Sequence, residues 1–124
     1  MSERFDEGQA MRRRVLGEAH VARSLGDGSG WDAELQRLVT ETAWGDVWSG
    51  PGLSLRDRSL VTLALLAGLG ALEEFELHLR ATVRTGASAD EVLQVIKHVA
   101  VYAGAPRALA ASRVAKRVLA EIGG

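Results

Sequence analysis

Residues 54–86 read SLRDRSLVTLALLAGLGALEEFELHLRATVRTG, and the fold is decided in this stretch. Ser54 with Asp57 three residues on has the form of a helix N-terminus, in which a hydroxyl accepts from an early amide and a carboxylate faces the positive end of the dipole. The run from Leu60 to Leu66 is apolar on almost every side of a helix and is expected to be the most buried helix of the fold. Gly68 and Gly70 mark its end. A second helix, from Ala71 to Thr85, stops at Gly86, a residue suited to the left-handed C′ position.

Working outward, Ser88 and Glu91 form a capping box that opens a helix through about Tyr102, and a last helix follows Pro106 to about Glu121. Its Ala108 to Ala111 stripe suits close helix packing. Toward the N-terminus, Trp31 to Trp44 reads as a helix with Leu35, Leu38 and Val39 at core spacing. It ends before the connection at Pro51 and Gly52. GDGSG at residues 26–30 is a loop. Glu3 to Gly17 reads as an amphipathic helix with Phe5, Met11, Val15 and Leu16 on its apolar side and Arg12, Arg13 and Arg14 on a solvated face. No segment alternates as a strand does, so the class is all-α, a bundle of about six helices in one domain over residues 1–124.

Composition narrows the chemistry. The 124 residues suffice for one domain with a core of its own. A formal net charge of -1, from 15 basic and 16 acidic residues, gives no positive field to collect nucleic acid or an anionic membrane. The first ten residues, MSERFDEGQA, lack the apolar run of a signal peptide, and no stretch approaches the roughly 20 apolar residues of a membrane span. A cytoplasmic location is expected. With zero cysteines, thiol nucleophiles, CxxC redox chemistry, disulfides and thiolate metal sites are excluded. The three histidines, His20, His78 and His98, show no metal-ligand spacing, so no metal is expected.

Chemistry is then left to His, carboxylates, Arg, hydroxyls and backbone. Glu74 and His78 lie four residues apart on one helix face, where a carboxylate can orient an imidazole for acid/base work; the same spacing also describes an ordinary surface pair. Arg80 and Arg84 on a neighbouring face suit a substrate carboxylate, or equally the glutamates of another subunit. His98 and Tyr102 repeat the four-residue spacing. Trp44 and Trp48 could wall a pocket for a small ring or anchor a core.

The string from Leu38 to Gly70, LVTETAWGDVWSGPGLSLRDRSLVTLALLAGLG, resembles the 4-carboxymuconolactone decarboxylases, in which an L-V-T-E-Y-x-W-G-x-V-W-x-R-P-G-L segment precedes R-S-L and a long apolar helix. The likeness continues through Glu74, Leu77-His78-x-Arg80, Gly86, Glu91 and the V-Y-A-G-x-P segment at Val101 to Pro106. It also takes in Val15 to Gly17 and His20 to Leu25, and so covers nearly the whole chain. The resemblance implies an all-α fold of the alkylhydroperoxidase D-like type and a homo-oligomer, trimer or hexamer. It also implies a cofactor-free lyase that removes CO2 from a small carboxylated unsaturated lactone in the β-ketoadipate route of aromatic degradation. His78 and Glu74 would be catalytic, with Arg80, Trp44, Trp48 and Tyr102 binding the substrate.

The sequence departs from the family pattern at Ala71, where an Arg is usual, at Thr42 and Ala43 for Tyr-Cys, at Glu73 for a frequent His, and at Ser49-Gly50 before Pro51. These changes point to altered substrate specificity. An isomerase, cyclase or decarboxylase acting on another oxygenated ring is the alternative reading, and a non-catalytic oligomeric binding protein is a third. The peroxidase-linked branch carries a CxxC ahead of the equivalent histidine. Ala71 and Glu74 stand at those two positions here, which excludes thiol-dependent activity.

Overall fold

The computed structural model describes residues 2–26 and 29–123, and the chain divides into two compact units, Met1–Leu53 and Ser54–Gly124. Among the described residues there are eight α-helices, one π-helical segment and no strand. The expected all-α class is observed. The count exceeds six because a short helix precedes the first loop and the 71–85 segment is two helices.

In the first unit, α1 (Glu3–Leu16) is capped by Ser2, whose hydroxyl accepts from Phe5 N–H at 3.1 Å, and α2 (Glu18–Leu25) follows at once after Gly17. The sequence reading missed α2. Residues 27 and 28 of the expected loop lie outside the described residues. The next helix, α3 (Ala33–Val39), continues without a break into the π-helical segment Thr40–Trp48, where Ser49 N–H reaches back five residues to Trp44 C=O at 3.2 Å.

Three expectations fail in this unit. Trp31 precedes the helix and is exposed, and Leu35 and Leu38 are exposed as well. The buried stripe is instead Thr40, Trp44 and Trp48, which the wide π turn brings into line. Arg12, assigned to a solvated face, is buried and donates from Nη1 to Thr40 Oγ1 at 3.1 Å. Helix α1 crosses the π segment with almost no space between backbones. A Cβ on Gly8 would lie 2.1 Å from Thr40 O, and one on Gly45 would lie 2.7 Å from Arg4 O. Only glycine permits that approach. Arg4 secures the crossing with a fork to both Asp46 carboxylate oxygens, at 3.0 and 2.7 Å.

The second unit begins with α4 (Leu55–Leu69), where Ser54 Oγ accepts from Asp57 N–H at 3.1 Å as its sequence predicts. The helix ends in a Schellman turn. Gly70, at φ +73°, donates to Ala67 C=O at 3.1 Å, and Ala71 donates to Leu66 C=O at 2.9 Å. The chain therefore reverses within two residues into α5 (Leu72–Arg80), which is followed by α6 (Thr82–Thr85). Gly86 N–H closes α6 on Thr82 C=O at 2.9 Å. Helix α7 (Ala89–Tyr102) carries the full capping box, Ser88 Oγ accepting from Glu91 N–H and Ser88 N–H donating to Glu91 Oε1. The unit closes with α8 (Ala105–Gly123).

Its core is built from Leu63 and Ala67 of α4, Phe75 and Leu79 of α5, Val92, Ile96 and Val99 of α7, and Ala108, Ala111, Ala115 and Val118 of α8. Small side chains on α8 let it lie close to its neighbours, and the alanine stripe is consumed inside the unit rather than left for another chain. Helix α4 is not the most buried helix. Only Ser59, Leu63 and Ala67 are fully covered, while Val61, Leu65 and Leu69 are exposed. Helices α5 to α8 contact one side of α4 and leave Val61, Leu65 and Leu69 exposed on the other.

Candidate active site

His78 is 6% exposed, on the inward face of α5, whereas His20 is half-buried and His98 is exposed. Burial follows from register: Phe75 and Leu79 fix the core-facing stripe of α5, and position 78, three residues after Phe75, lies on it. Glu74 precedes His78 by one turn but is exposed. A set of ion pairs on α5 runs through other residues.

Those residues are Glu76 and Arg80, on the flank of the helix away from His78. Glu76 accepts from Arg80 Nη2 at 2.9 Å and from Arg117 Nη2 of α8 at 2.7 Å, and Arg80 Nη2 also donates to Glu121 at 2.8 Å. Hydrogen bonds from Arg117 and then Arg80 hold the Glu76 carboxyl well below its usual range, at about 2. The same partners, Glu121 first for Arg80 and Glu76 first for Arg117, raise both guanidinium pKa values. Arg80, expected as a substrate ligand, thus already holds two carboxylates of its own chain.

The remaining expected residues occupy separate places. Trp44 and Trp48, in the first unit, are buried and stacked on one another with ring centroids 5.0 Å apart and planes 25° apart. Tyr102 ends α7, is 85% exposed, and lies nearly parallel to the His98 ring at a centroid distance of 6.4 Å. His98 also edges a shallow groove of about 420 Å³ lined by Leu60, Val61, Ala64, Glu91, Gln94 and Val95.

Besides His78, the polar side chains buried in this unit are Ser59, Thr82 and Thr85. Sequence reading gave none of the three a role, although Ser59 falls in the R-S-L segment of the family resemblance. A single hydroxyl inside an apolar helix carries no periodic signal, and only packing shows which way it points.

The profile of the Carboxymuconolactone decarboxylase family matches residues 33–117. The 4-carboxymuconolactone decarboxylase of Acinetobacter baylyi is 41% identical over 121 residues, spanning 98% of this chain and 90% of that protein. A nitrosuccinic acid decarboxylase of Metarhizium robertsii is 38% identical over 115 residues, 93% of this chain and 80% of the relative. A 4-carboxymuconolactone decarboxylase sequence of Pseudomonas putida is 43% identical over 44 residues, 36% of this chain and 92% of its own length. The chain belongs to the carboxymuconolactone decarboxylase family.

Proposed function

We propose that this chain, acting as one carboxymuconolactone decarboxylase-like domain over residues 1–124, is a carboxy-lyase. It removes CO2 from a small carboxylated unsaturated lactone of the 4-carboxymuconolactone type, in aromatic degradation in the cytoplasm. The observation that carries the reading is the burial of His78, the one histidine of the three withdrawn from water, on a helix of a chain whose full-length relatives are named decarboxylases.

Breaking the C–CO2 bond leaves an electron pair that passes through the ring alkene onto the lactone carbonyl. A protonated His78 then delivers its proton to carbon and is reprotonated from water. The substrate is its own electron sink, so the reaction needs no cofactor. Glu74, one turn before His78, is proposed to orient the imidazole. Arg80 and Tyr102 are the other proposed substrate contacts, Arg80 by exchanging Glu76 or Glu121 for a substrate carboxylate.

A second substrate reading is favoured by the relative named nitrosuccinic acid decarboxylase. A nitro group beside a carboxylate accepts the released electron pair as a lactone carbonyl does, and the same proton donor serves.

The working form is proposed to be a homo-oligomer, trimer or hexamer. Leu65, Leu69, Val101 and Tyr102 stand exposed on α4 and α7, an apolar face that a second copy would cover.

The test is CO2 release from 4-carboxymuconolactone and from nitrosuccinic acid by the parent and by His78→Ala. Turnover by the parent that is lost in the variant supports the reading, and a fully active His78→Ala overturns it.

A further inference from the structure

Four helical threonines of this chain bond back to a carbonyl of the preceding turn. Thr40 Oγ1 donates to Gln36 O, Thr42 to Leu38 O, Thr62 to Arg58 O and Thr82 to Leu79 O, at 2.6 to 2.7 Å. That is the default for a Ser or Thr inside a helix. Ser59 does not follow it. Its residue is 0% exposed and its Oγ has no hydrogen-bond partner among the described residues.

An unmade hydrogen bond on a buried hydroxyl costs stability, and alanine would fill the same space without that cost. The position of Ser59 suggests what the hydroxyl is kept for. Ser59, Leu63 and Ala67 form one stripe of α4, and Leu63 and Ala67 pack with Phe75 and Leu79 of α5. The two-residue reversal at Gly70 and Ala71 makes α4 and α5 an antiparallel hairpin. One turn beyond Leu63, away from that reversal, Ser59 comes level with the end of α5 and with α6, which contacts α4. His78 and Thr82 are the buried polar residues there, and Thr82 spends its hydroxyl on Leu79 O. Thr85 Oγ1, also buried without a partner, lies two turns beyond His78.

We propose that Ser59 is a substrate-binding residue of the His78 site, its buried hydroxyl donating to the substrate oxygen on which negative charge collects as CO2 leaves. The proposal rests on the decarboxylase reading of His78 and adds the oxyanion donor which that reading lacks. A neutral donor shielded from water suits this task, because its dipole is fixed before the charge develops and is little screened.

The experiment compares parent, Ser59→Ala, Ser59→Thr and His78→Ala, measuring kcat and KM on 4-carboxymuconolactone and nitrosuccinic acid, with thermal unfolding alongside. Ser59→Ala should lower kcat on the order of a hundredfold with little change in KM, the loss typical of one oxyanion donor. It should unfold at or above the parent Tm, and Ser59→Thr, which keeps the hydroxyl, should recover part of kcat. A Ser59→Ala variant with parental kcat, measured where His78→Ala is inactive, overturns the role of Ser59 and leaves the His78 reading standing. Parental turnover in His78→Ala overturns that reading and this proposal with it, as does a parent that releases CO2 from neither substrate.

Discussion

Arg117 of α8 donates to Glu76 of α5 at 2.7 Å, joining the flank of the helix that carries His78 to the last helix of the chain. Arg80 and Glu121 complete the group, so two carboxylates and two guanidinium ions alternate across the α5–α8 contact. The Glu76 carboxyl is held at about 2 against an ordinary value of 4.5. A depressed carboxyl stabilises the fold above its unfolded-state pKa, and that contribution fades as pH falls from about 4.5 toward about 2. Glu76→Gln should therefore unfold below the parent at pH 7, and the gap should close as the pH approaches 2. Thermal unfolding across that range tests this. A gap that stays constant with pH would remove the charge from the explanation.

His78 and Glu74 differ in burial, and their variants should differ in proportion. Losing a positioned general acid costs on the order of a hundredfold to ten-thousandfold in rate. His78→Ala should fall in that range and retain its assembly. Glu74 is exposed, where solvent screens its charge, so Glu74→Gln should lose much less. Steady-state rates with sedimentation alongside separate the two. Equal losses would require Glu74 to take part in the chemistry directly.

Gly8→Ala sets two effects against each other. Alanine gains up to about 1 kcal/mol in helix propensity, but its Cβ would sit 2.1 Å from Thr40 O and 2.8 Å from Gly45 N, both backbone atoms that move only with their helix. Overpacking of this kind costs about 1–3 kcal/mol, and backbone neighbours put the site at the upper end. The clash should win, lowering the urea midpoint.

The exposed apolar face of α4 gives an assembly test. Leu65 and Leu69 lie one turn apart and both face outward. Leu65→Lys should shift the sedimenting species toward monomer while leaving the helical circular dichroism of the parent. Unchanged assembly would move the interface elsewhere on the surface.

Much of the second unit was legible before any coordinates. Ser54, Ser88 with Glu91, Gly70 and Gly86 are local signals, each acting through hydrogen bonds within four or five residues, and each does what its type requires. Position 78 was singled out by Glu74 one turn earlier; that it faces inward is fixed by the packing of Phe75 and Leu79. The first unit was read less well. Glu18–Leu25 is only eight residues long, too short for a helical period to stand out, and Leu35 and Leu38 sit at ordinary helix spacing on α3 without being covered, the buried stripe lying instead in the π-helical Thr40–Trp48.

The sequence by itself determined the helical class, the caps at Ser54, Ser88, Gly70 and Gly86, and the absence of any thiol. Tertiary structure decided which of several equally apolar faces of α4 is covered, since periodicity cannot rank faces when every face is apolar. Packing also decided that Arg80 meets Glu76 and Glu121, that Arg12 lies inside with Thr40, and that Ser59 keeps a hydroxyl without a partner. The Glu76–Arg80 pair is one helical turn apart, but Arg12–Thr40 and Arg80–Glu121 join residues 28 and 41 positions apart, and the local sequence around them carries no trace of that meeting.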